Sequence, residues 1–148
     1  MEISIVTKYV IEKFKENPLT NTIVIGKSSE IDTNKSNIYP LVNIDIIQAE
    51  ILDNVHRINY FITILQQRDI SSKLNLDNKL LNENMVDNLN ETYNIATKFI
   101  NNIRSFNNDQ NIDVVSVTPV QMIKYAGTNL LDGVSFNIVL DIPDNTGC

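Results

Sequence analysis

His56 is the first residue to consider for chemistry, because it is the only histidine in this 148-residue chain. It lies three residues after Asp53, beside a polar turn. A metal centre needs several ligands held at fixed geometry, and a catalytic triad needs a placed nucleophile as well. The sequence supplies neither around His56 and therefore predicts an exposed turn histidine.

Cys148 is the only cysteine and the last residue of the sequence. A cysteine nucleophile needs a partner that stabilises its thiolate, and terminal residues are usually mobile. We interpret Cys148 as chemically inert. A single cysteine also excludes an internal disulfide. The lack of disulfides is typical of proteins made in a reducing cytoplasm.

Residues 26–29, GKSS, follow a β-branched stretch and partly match the phosphate-binding loop G-x-x-x-x-G-K-[ST]. The first glycine of that pattern falls on Asn21, and a polar segment follows where the pattern requires an apolar helix. The segment is better interpreted as the end of a strand followed by a basic turn.

Asp141, Asp144 and Asn145 lie close together near the C-terminus and suggest a calcium site. They lack the D-x-[DN]-x-[DN]-G-x5-E pattern that supplies six or more oxygen ligands. A solvated acidic tail is the better interpretation. The sequence therefore predicts no catalytic residue, no cofactor and no metal, and we expect a protein that is not an enzyme.

The charge of the chain argues against direct nucleic-acid binding. Its formal net charge is −6, and residues 75–148 carry 9 acidic but only 4 basic residues. A nucleic-acid binder needs clustered cations to displace counterions from phosphates, and neither half of the chain has such a cluster. No apolar run approaches the roughly 20 residues needed to span a bilayer, so we expect no membrane partner.

The N-terminal part of the chain predicts a short helix and a strand. Ile3, Val6, Val10 and Phe14 recur at helical spacing, and the helix should end before Asn17-Pro18. The β-branched segment 20–26 predicts a short strand closed by Gly26. A polar loop follows it.

The central segment predicts a long β-hairpin, with strands over about 41–52 and 56–67 and a turn at Asp53-Asn54. Strands of this length exceed the usual five or six residues, so we expect the hairpin to project beyond the core. One side of its second strand presents four apolar residues, Ile58, Tyr60, Ile62 and Ile64. The other side presents Phe61 and Leu65. Both sides need to be covered, either within the domain or by another chain.

Residues 82–106 predict a long amphipathic helix, because their apolar positions keep a 3.6-residue period. These positions are Met85, Leu89, Ala96, Phe99, Ile103 and Phe106, joined by Val86, Tyr93 and Ile100. Segments 112–120 and 133–143 alternate like strands, and Gly127 and Gly133 permit turns in the segment between them. The order predicts a single α+β domain over residues 1–148, with a mostly antiparallel sheet and the long helix across one face.

This layout resembles the bacteriophage tail terminator and tail completion family, the small α+β proteins that form rings in the neck or at the head-proximal end of a tail. The resemblance follows IYPLVNIDI (38–46), INYFITILQQRD (58–69) and NLNETYNIATKFINNIRSF (88–106). Near the C-terminus, V-x-x-T-P at 115–119, Asp132-Gly133 and Cys148 are similar to small tail proteins of Bacteroidetes phages.

The resemblance implies a structural virion protein at the head–tail junction, made in the cytoplasm of a bacterial host. It implies a homo-oligomeric ring of six or twelve copies that contacts portal, adaptor or tail-tube proteins and lets DNA pass without specific binding. We expect the subunit interface to include Ile47, Ile51, Phe61 and Leu65. We expect the lumen to be lined by aspartates from the set Asp109, Asp113, Asp132, Asp141 and Asp144.

An alternative from another functional class remains open at this point. The domain could bind a small molecule or a peptide, using one face of the sheet as a pocket. A ring-forming protein should assemble in solution, whereas a binding domain can stay monomeric.

Overall fold

The computed structural model describes residues 2–27, 38–68, 83–104, 111–126 and 131–144. The two helices and six strands within these ranges confirm the predicted α+β class. The elements are α1 (Glu2–Lys15), β1 (Thr22–Ile25), β2 (Leu41–Leu52), β3 (Val55–Gln67), α2 (Glu83–Ile103), β4 (Asp113–Val117), β5 (Gln121–Ala126) and β6 (Leu131–Pro143). Neither helix is long and apolar enough to cross a membrane, within the described ranges.

The strands form one mostly antiparallel sheet in the order β1-β2-β3-β6-β4. Among the described strands, only the β1–β2 pair is parallel. Both β4 and β5 pair with the outer edge of β6, at different levels: β4 lies opposite residues 138–141 and β5 opposite residues 131–135. The two long central strands, β3 and β6, therefore pair with β2, β4 and β5, and β1 joins the sheet through β2.

The hairpin of β2 and β3 lies where the sequence predicts it, with a turn at Asp53-Asn54. Asn54 takes a positive φ of 63°, a conformation that asparagine adopts more readily than most residues. β6 pairs with β3 as far as Val55, the first residue of β3, which lies opposite Pro143. The hairpin is thus part of a three-stranded layer at its tip, and its projection beyond the core stays a prediction.

A β-bulge in β2 changes which side chains face the helices. The register shifts between Ile46 and Gln48, so that Ile47 is an extra residue on the outer strand. Ile46 pairs with Tyr60 on the helix side of the sheet, and after the bulge Ile51 pairs with His56 on that same side. The predicted continuous alternation along β2 is therefore interrupted once.

Both helices pack on one face of the sheet, which we call the helix face. The Phe14 and Phe99 rings stack with centroids 3.8 Å apart and join α1 to α2. Phe99 also meets Phe136 of β6 with centroids 6.1 Å apart. Such aromatic contacts stabilise a core by about 0.5–1.5 kcal/mol each beyond the area they bury.

The buried side of α2 is more polar than its apolar spacing predicts. Val86 and Tyr93 are exposed, whereas Asn88 and Thr92 are buried. The Thr92 hydroxyl donates to the Asn88 carbonyl at 2.8 Å, which lets a polar side chain lie in the core. The predicted core position Phe106 lies outside the described residues.

The segment 121–126 was predicted as part of a turn region but forms the strand β5. Gly133, predicted to permit a turn, lies inside β6 instead. A Cβ atom at Gly133 would approach the Ile64 carbonyl oxygen to 1.9 Å. Glycine is therefore needed here because the backbones of β3 and β6 come close together.

Candidate assembly surface

The helix face is filled by the chain itself. Four residues of β3 predicted to face the domain's own core, Ile58, Tyr60, Ile62 and Ile64, are fully buried there. The Tyr60 hydroxyl and the Thr7 hydroxyl of α1 share a hydrogen bond of 2.9 Å. Burial raises the pKa of Tyr60 to about 12, and the Thr7 hydrogen bond opposes this effect in part. The prediction that these four side chains of β3 face the chain's own core is confirmed.

The opposite face of the sheet, which we call the open face, contains a second apolar cluster near the start of β2. Leu41, Leu65 and Leu131 are buried together, and Val24, Tyr39 and Ile123 pack around them. Leu65 is only 3% exposed. Its assignment to a subunit interface is therefore corrected: Leu65 stabilises the chain's own fold, whereas Phe61, on the same face, is half-buried.

Near the hairpin turn, a row of charged residues crosses the open face. Glu50, Arg57, Asp141 and Asp113 lie opposite one another on β2, β3, β6 and β4. The Arg57 guanidinium donates two hydrogen bonds to the Asp141 carboxylate, at 2.8 and 3.0 Å. The hydrogen bond to Asp141, with a smaller contribution from Glu50, raises the pKa of Arg57. The row carries three acids and one base.

Two of the predicted lumen aspartates are paired within the chain. Asp132 is 0% exposed, and Arg68 donates hydrogen bonds of 2.8 and 2.7 Å to its carboxylate oxygens. Asp132 therefore cannot line a channel, and its assignment is corrected: it is half of a buried ion pair. Asp141 is partly exposed, but its charge is compensated by Arg57.

The remaining predicted aspartates lie near the hairpin turn or outside the described residues. Asp113 is exposed at the start of β4. Asp144 donates its backbone N–H to the Asn54 carbonyl at 2.8 Å, and its carboxylate lies 3.4 Å from His56 Nε2. His56 is consequently half-buried beside an acid, which corrects the predicted exposed histidine. Asp109 lies in the segment that the structure does not describe.

The outer edge of β2 changes character at Ile44. From Leu41 to Ile44, this edge of β2 pairs with β1. The Gly26 N–H donates the last hydrogen bond along this pairing, to the Ile44 carbonyl. From Asp45 to Leu52 no described strand pairs with this edge, which we call the distal edge. Ile47 is 49% exposed and Ile51 is 80% exposed on it. Both residues are accessible, as the predicted interface requires.

The other edge of the sheet is formed by β4 and β5. Val115 on β4 and Met122 on β5 are exposed apolar residues, and Lys124 of β5 is exposed beside Met122. The sequence pattern did not predict this surface, because residues 121–126 were interpreted as part of a turn region and form β5 instead. The signal was present in the short alternation of Met122 and Lys124 with Ile123.

The described residues contain no group of three or more histidine, cysteine or acidic side chains that could hold a metal ion. Of the partial phosphate-loop match, Lys27 is exposed, and residues 28 and 29 lie outside the description. No protein-family model matches the sequence, and no curated protein matches it. Within the described residues, exposed apolar side chains lie on both edges of the sheet: Ile47 and Ile51 on the distal edge, and Val115 and Met122 on the β4–β5 edge.

Proposed function

We propose that this protein is a structural component of a bacteriophage virion that forms a ring at the head–tail junction. In this role six or twelve copies join the tail to the portal or head and surround the path of the DNA. The observation that carries the proposal is the distal edge of β2, with its exposed Ile47 and Ile51. The sequence resemblance to tail terminator and neck proteins supports it.

An uncovered strand edge favours association because its backbone N–H and C=O groups can pair with another strand. Proteins commonly protect such edges with charges or bulges, and this edge has both, in Glu50 and in the bulge at Ile47. Two exposed isoleucines remain beside these protective features. Complete burial of an isoleucine side chain contributes about 1.5–3 kcal/mol, so covering both residues favours assembly appreciably.

A closed ring requires two different complementary surfaces on each copy. The sheet has two different edges that could serve this purpose, because its distal edge and its β4–β5 edge lie on opposite sides of β3 and β6. Each copy can therefore offer one edge to each neighbour. Two copies that paired the same edge would instead close as a dimer.

The charge of the chain suits a channel that DNA passes without binding. Six copies carry a formal charge of 6 × −6 = −36, and twelve carry 12 × −6 = −72. Carboxylates repel phosphates over roughly 10 Å at 0.1 M salt. In the proposed ring the row of charged residues on the open face, which ends in Asp113, faces the lumen.

The alternative, a ligand pocket on a sheet face, has one observation in its favour. Asn43 Oδ1 and Thr63 Oγ1 are buried on the open face without a hydrogen-bond partner. A pocket also needs an opening to solvent. Asn43 is 1% exposed, and the Leu41, Leu65 and Leu131 cluster occupies the adjacent part of this face, so the geometry favours assembly.

The test is the molecular mass in solution, measured by sedimentation velocity over a range of concentrations. We expect wild type to form hexamers or dodecamers and the double variant Ile47→Ser/Ile51→Ser to remain monomeric and folded by circular dichroism. Val86→Ser, which removes an exposed apolar residue from α2, is the matched control. If the double variant assembles like wild type, the distal edge is not the contact. Electron microscopy of virions carrying a tagged copy then tests the position in the particle.

A further inference from the structure

The distal edge of β2 presents backbone hydrogen-bonding groups at defined positions. The Ile44 carbonyl points outward, because it accepts the Gly26 N–H, and the residues of an antiparallel strand bond alternately to its two neighbours. Ile46, two residues further along, therefore points outward as well. After the bulge, Ala49 and Ile51 take the corresponding positions, since their side chains return to the helix side. These residues offer their N–H and C=O groups to an added strand.

We infer that two copies of this chain pair their distal edges as antiparallel strands about a two-fold axis. Pairing of one edge with itself is isologous, so every contact off the axis occurs twice. The axis passes beside Ala49, which lies opposite Ala49 of the second copy. Ile46 then lies opposite Ile51 of the second copy, and Gln48 lies opposite its Glu50.

This register brings equivalent faces together. Ile46, Ala49 and Ile51 all lie on the helix side, so the helix faces of the two copies are on the same side of the joined sheet. Ile51 is 80% exposed in a single copy, and Ile46 of the second copy covers it. The same pair recurs on the other side of the axis. The outward backbone groups of these residues also meet in hydrogen-bonded pairs.

The acids of β2 select this register over its neighbours. β2 carries Asp45 and Glu50 and no basic residue, and like charges directly opposite each other destabilise a strand pair. A shift by two residues in one direction opposes Glu50 to Glu50, and a shift in the other direction opposes Asp45 to Glu50. In the inferred register Glu50 faces the side-chain amide of Gln48, which can donate a hydrogen bond, and Asp45 faces Leu52.

The length of the distal edge also matches a second copy of itself. β1 fills the edge of β2 as far as Ile44, and the chain bends at Gly26. The strand of the second copy ends at its hairpin turn, which reaches the level of Gly26. Exposed Asp53 of that turn thereby approaches exposed Lys27, so opposite charges meet at each end of the junction.

The dimer and the proposed ring need the same edge, so one excludes the other. A copy whose distal edge is paired with a second copy cannot offer that edge to a β4–β5 edge. The dimer therefore stores the chain in a form that assembles only after the two copies separate. The inference goes beyond the proposed ring and does not depend on it.

The experiment is cysteine cross-linking with oxidised glutathione in a Cys148→Ser background, since Cys148 is the only native cysteine. A single cysteine meets its own copy only at the two-fold axis, so Ala49→Cys should form a disulfide-linked dimer. Opposite Cα atoms of a hydrogen-bonded pair are about 5.5 Å apart, which suits a disulfide. Gln48→Cys is the matched control. Its two cysteines lie about 8 Å apart, and it should give less than about a tenth as much linked dimer.

A mixing experiment tests the register independently. Ile46→Cys and Ile51→Cys should each give little linked dimer alone and should cross-link when the two variants are mixed. The substituted side chains are all at least 36% exposed or on the outer edge of the sheet, so the variants are expected to fold, and circular dichroism verifies this.

Sedimentation velocity tests the storage role. The linked Ala49→Cys dimer should keep the mass of two chains at concentrations at which wild type assembles further, and reduction of the disulfide should restore assembly. A linked dimer that assembles as wild type does overturns the storage role.

The outcomes separate this inference from the proposed function. If Ala49→Cys gives no more linked dimer than Gln48→Cys, the self-pairing is wrong, whether or not wild type forms rings. Ile46→Cys and Ile51→Cys that link as well alone as in the mixture show a contact without fixed register, which also overturns the inference. A wild-type chain that stops at two copies at every concentration, together with linked Ala49→Cys, supports the self-pairing and refutes the ring.

Discussion

Replacing Asp132 with asparagine should destabilise the fold strongly, because the change leaves the Arg68 guanidinium buried beside a neutral group. The two side chains are 3% and 0% exposed and are joined by two hydrogen bonds of 2.7 and 2.8 Å. Breaking one partner of such a buried pair costs about 3–5 kcal/mol. Domains of this size have total unfolding free energies of about 5–15 kcal/mol, so Asp132→Asn removes a large part of the stability.

The assay is urea denaturation followed by circular dichroism at neutral pH. Asp113→Asn is the matched control, since Asp113 is exposed, and it should change the unfolding free energy by less than about 0.5 kcal/mol. The double variant Arg68→Met/Asp132→Leu removes both charges and should recover most of the loss. A loss below about 1 kcal/mol for Asp132→Asn would refute the reasoning and return Asp132 to the set of accessible aspartates.

Three further predictions concern stability and use the same denaturation assay. Tyr60 favours its neutral form in the folded state, with a pKa near 12 against 10 for the free side chain. Ionisation of Tyr60 therefore leaves the free energy of unfolding unchanged below pH 10. Between pH 10 and 12 the free energy of unfolding should fall by about 1.4 kcal/mol per pH unit, and Tyr60→Phe should remove this slope. Gly133→Ala forces β3 and β6 apart and should cost about 3 kcal/mol or more, whereas Gly26→Ala, where a Cβ has open space, should be nearly neutral. Ile103→Ala empties part of the core and should cost about 2–5 kcal/mol, whereas a loss equal to that of Val86→Ala would show that α2 does not pack on the sheet.

The sequence predicted the elements whose periodicity is long and uninterrupted. The hairpin strands were predicted to within one residue at each end, because turn residues at Asp53-Asn54 separate two extended β-branched segments. The helix α2 was predicted to within three residues, since its 3.6-residue pattern persists for five turns. The short strand β5 was missed because six residues next to a glycine give too little periodicity to exceed the turn signal.

The errors at the candidate site share one cause, which is that strand register cannot be read from composition. Asp132 and Asp141 look alike as isolated acids, yet β6 brings one beside a buried arginine and the other beside a surface arginine. Leu65 was placed correctly on the open face. Its burial there depends on Leu41 and Leu131, which only the pairing of three strands brings together.

The position of the exposed apolar residues changes how assembly is expected to occur. The sequence suggested that a neighbouring copy covers a face of the hairpin. The structure covers one face with helices and part of the other with the Leu41, Leu65 and Leu131 cluster. The most exposed isoleucine of the hairpin, Ile51, lies on the distal edge instead. Edge contacts add backbone hydrogen bonds, which fix strand direction and register, to the apolar contact. A subunit contact at this edge therefore specifies the geometry of a ring more narrowly than the stacking of two apolar faces would.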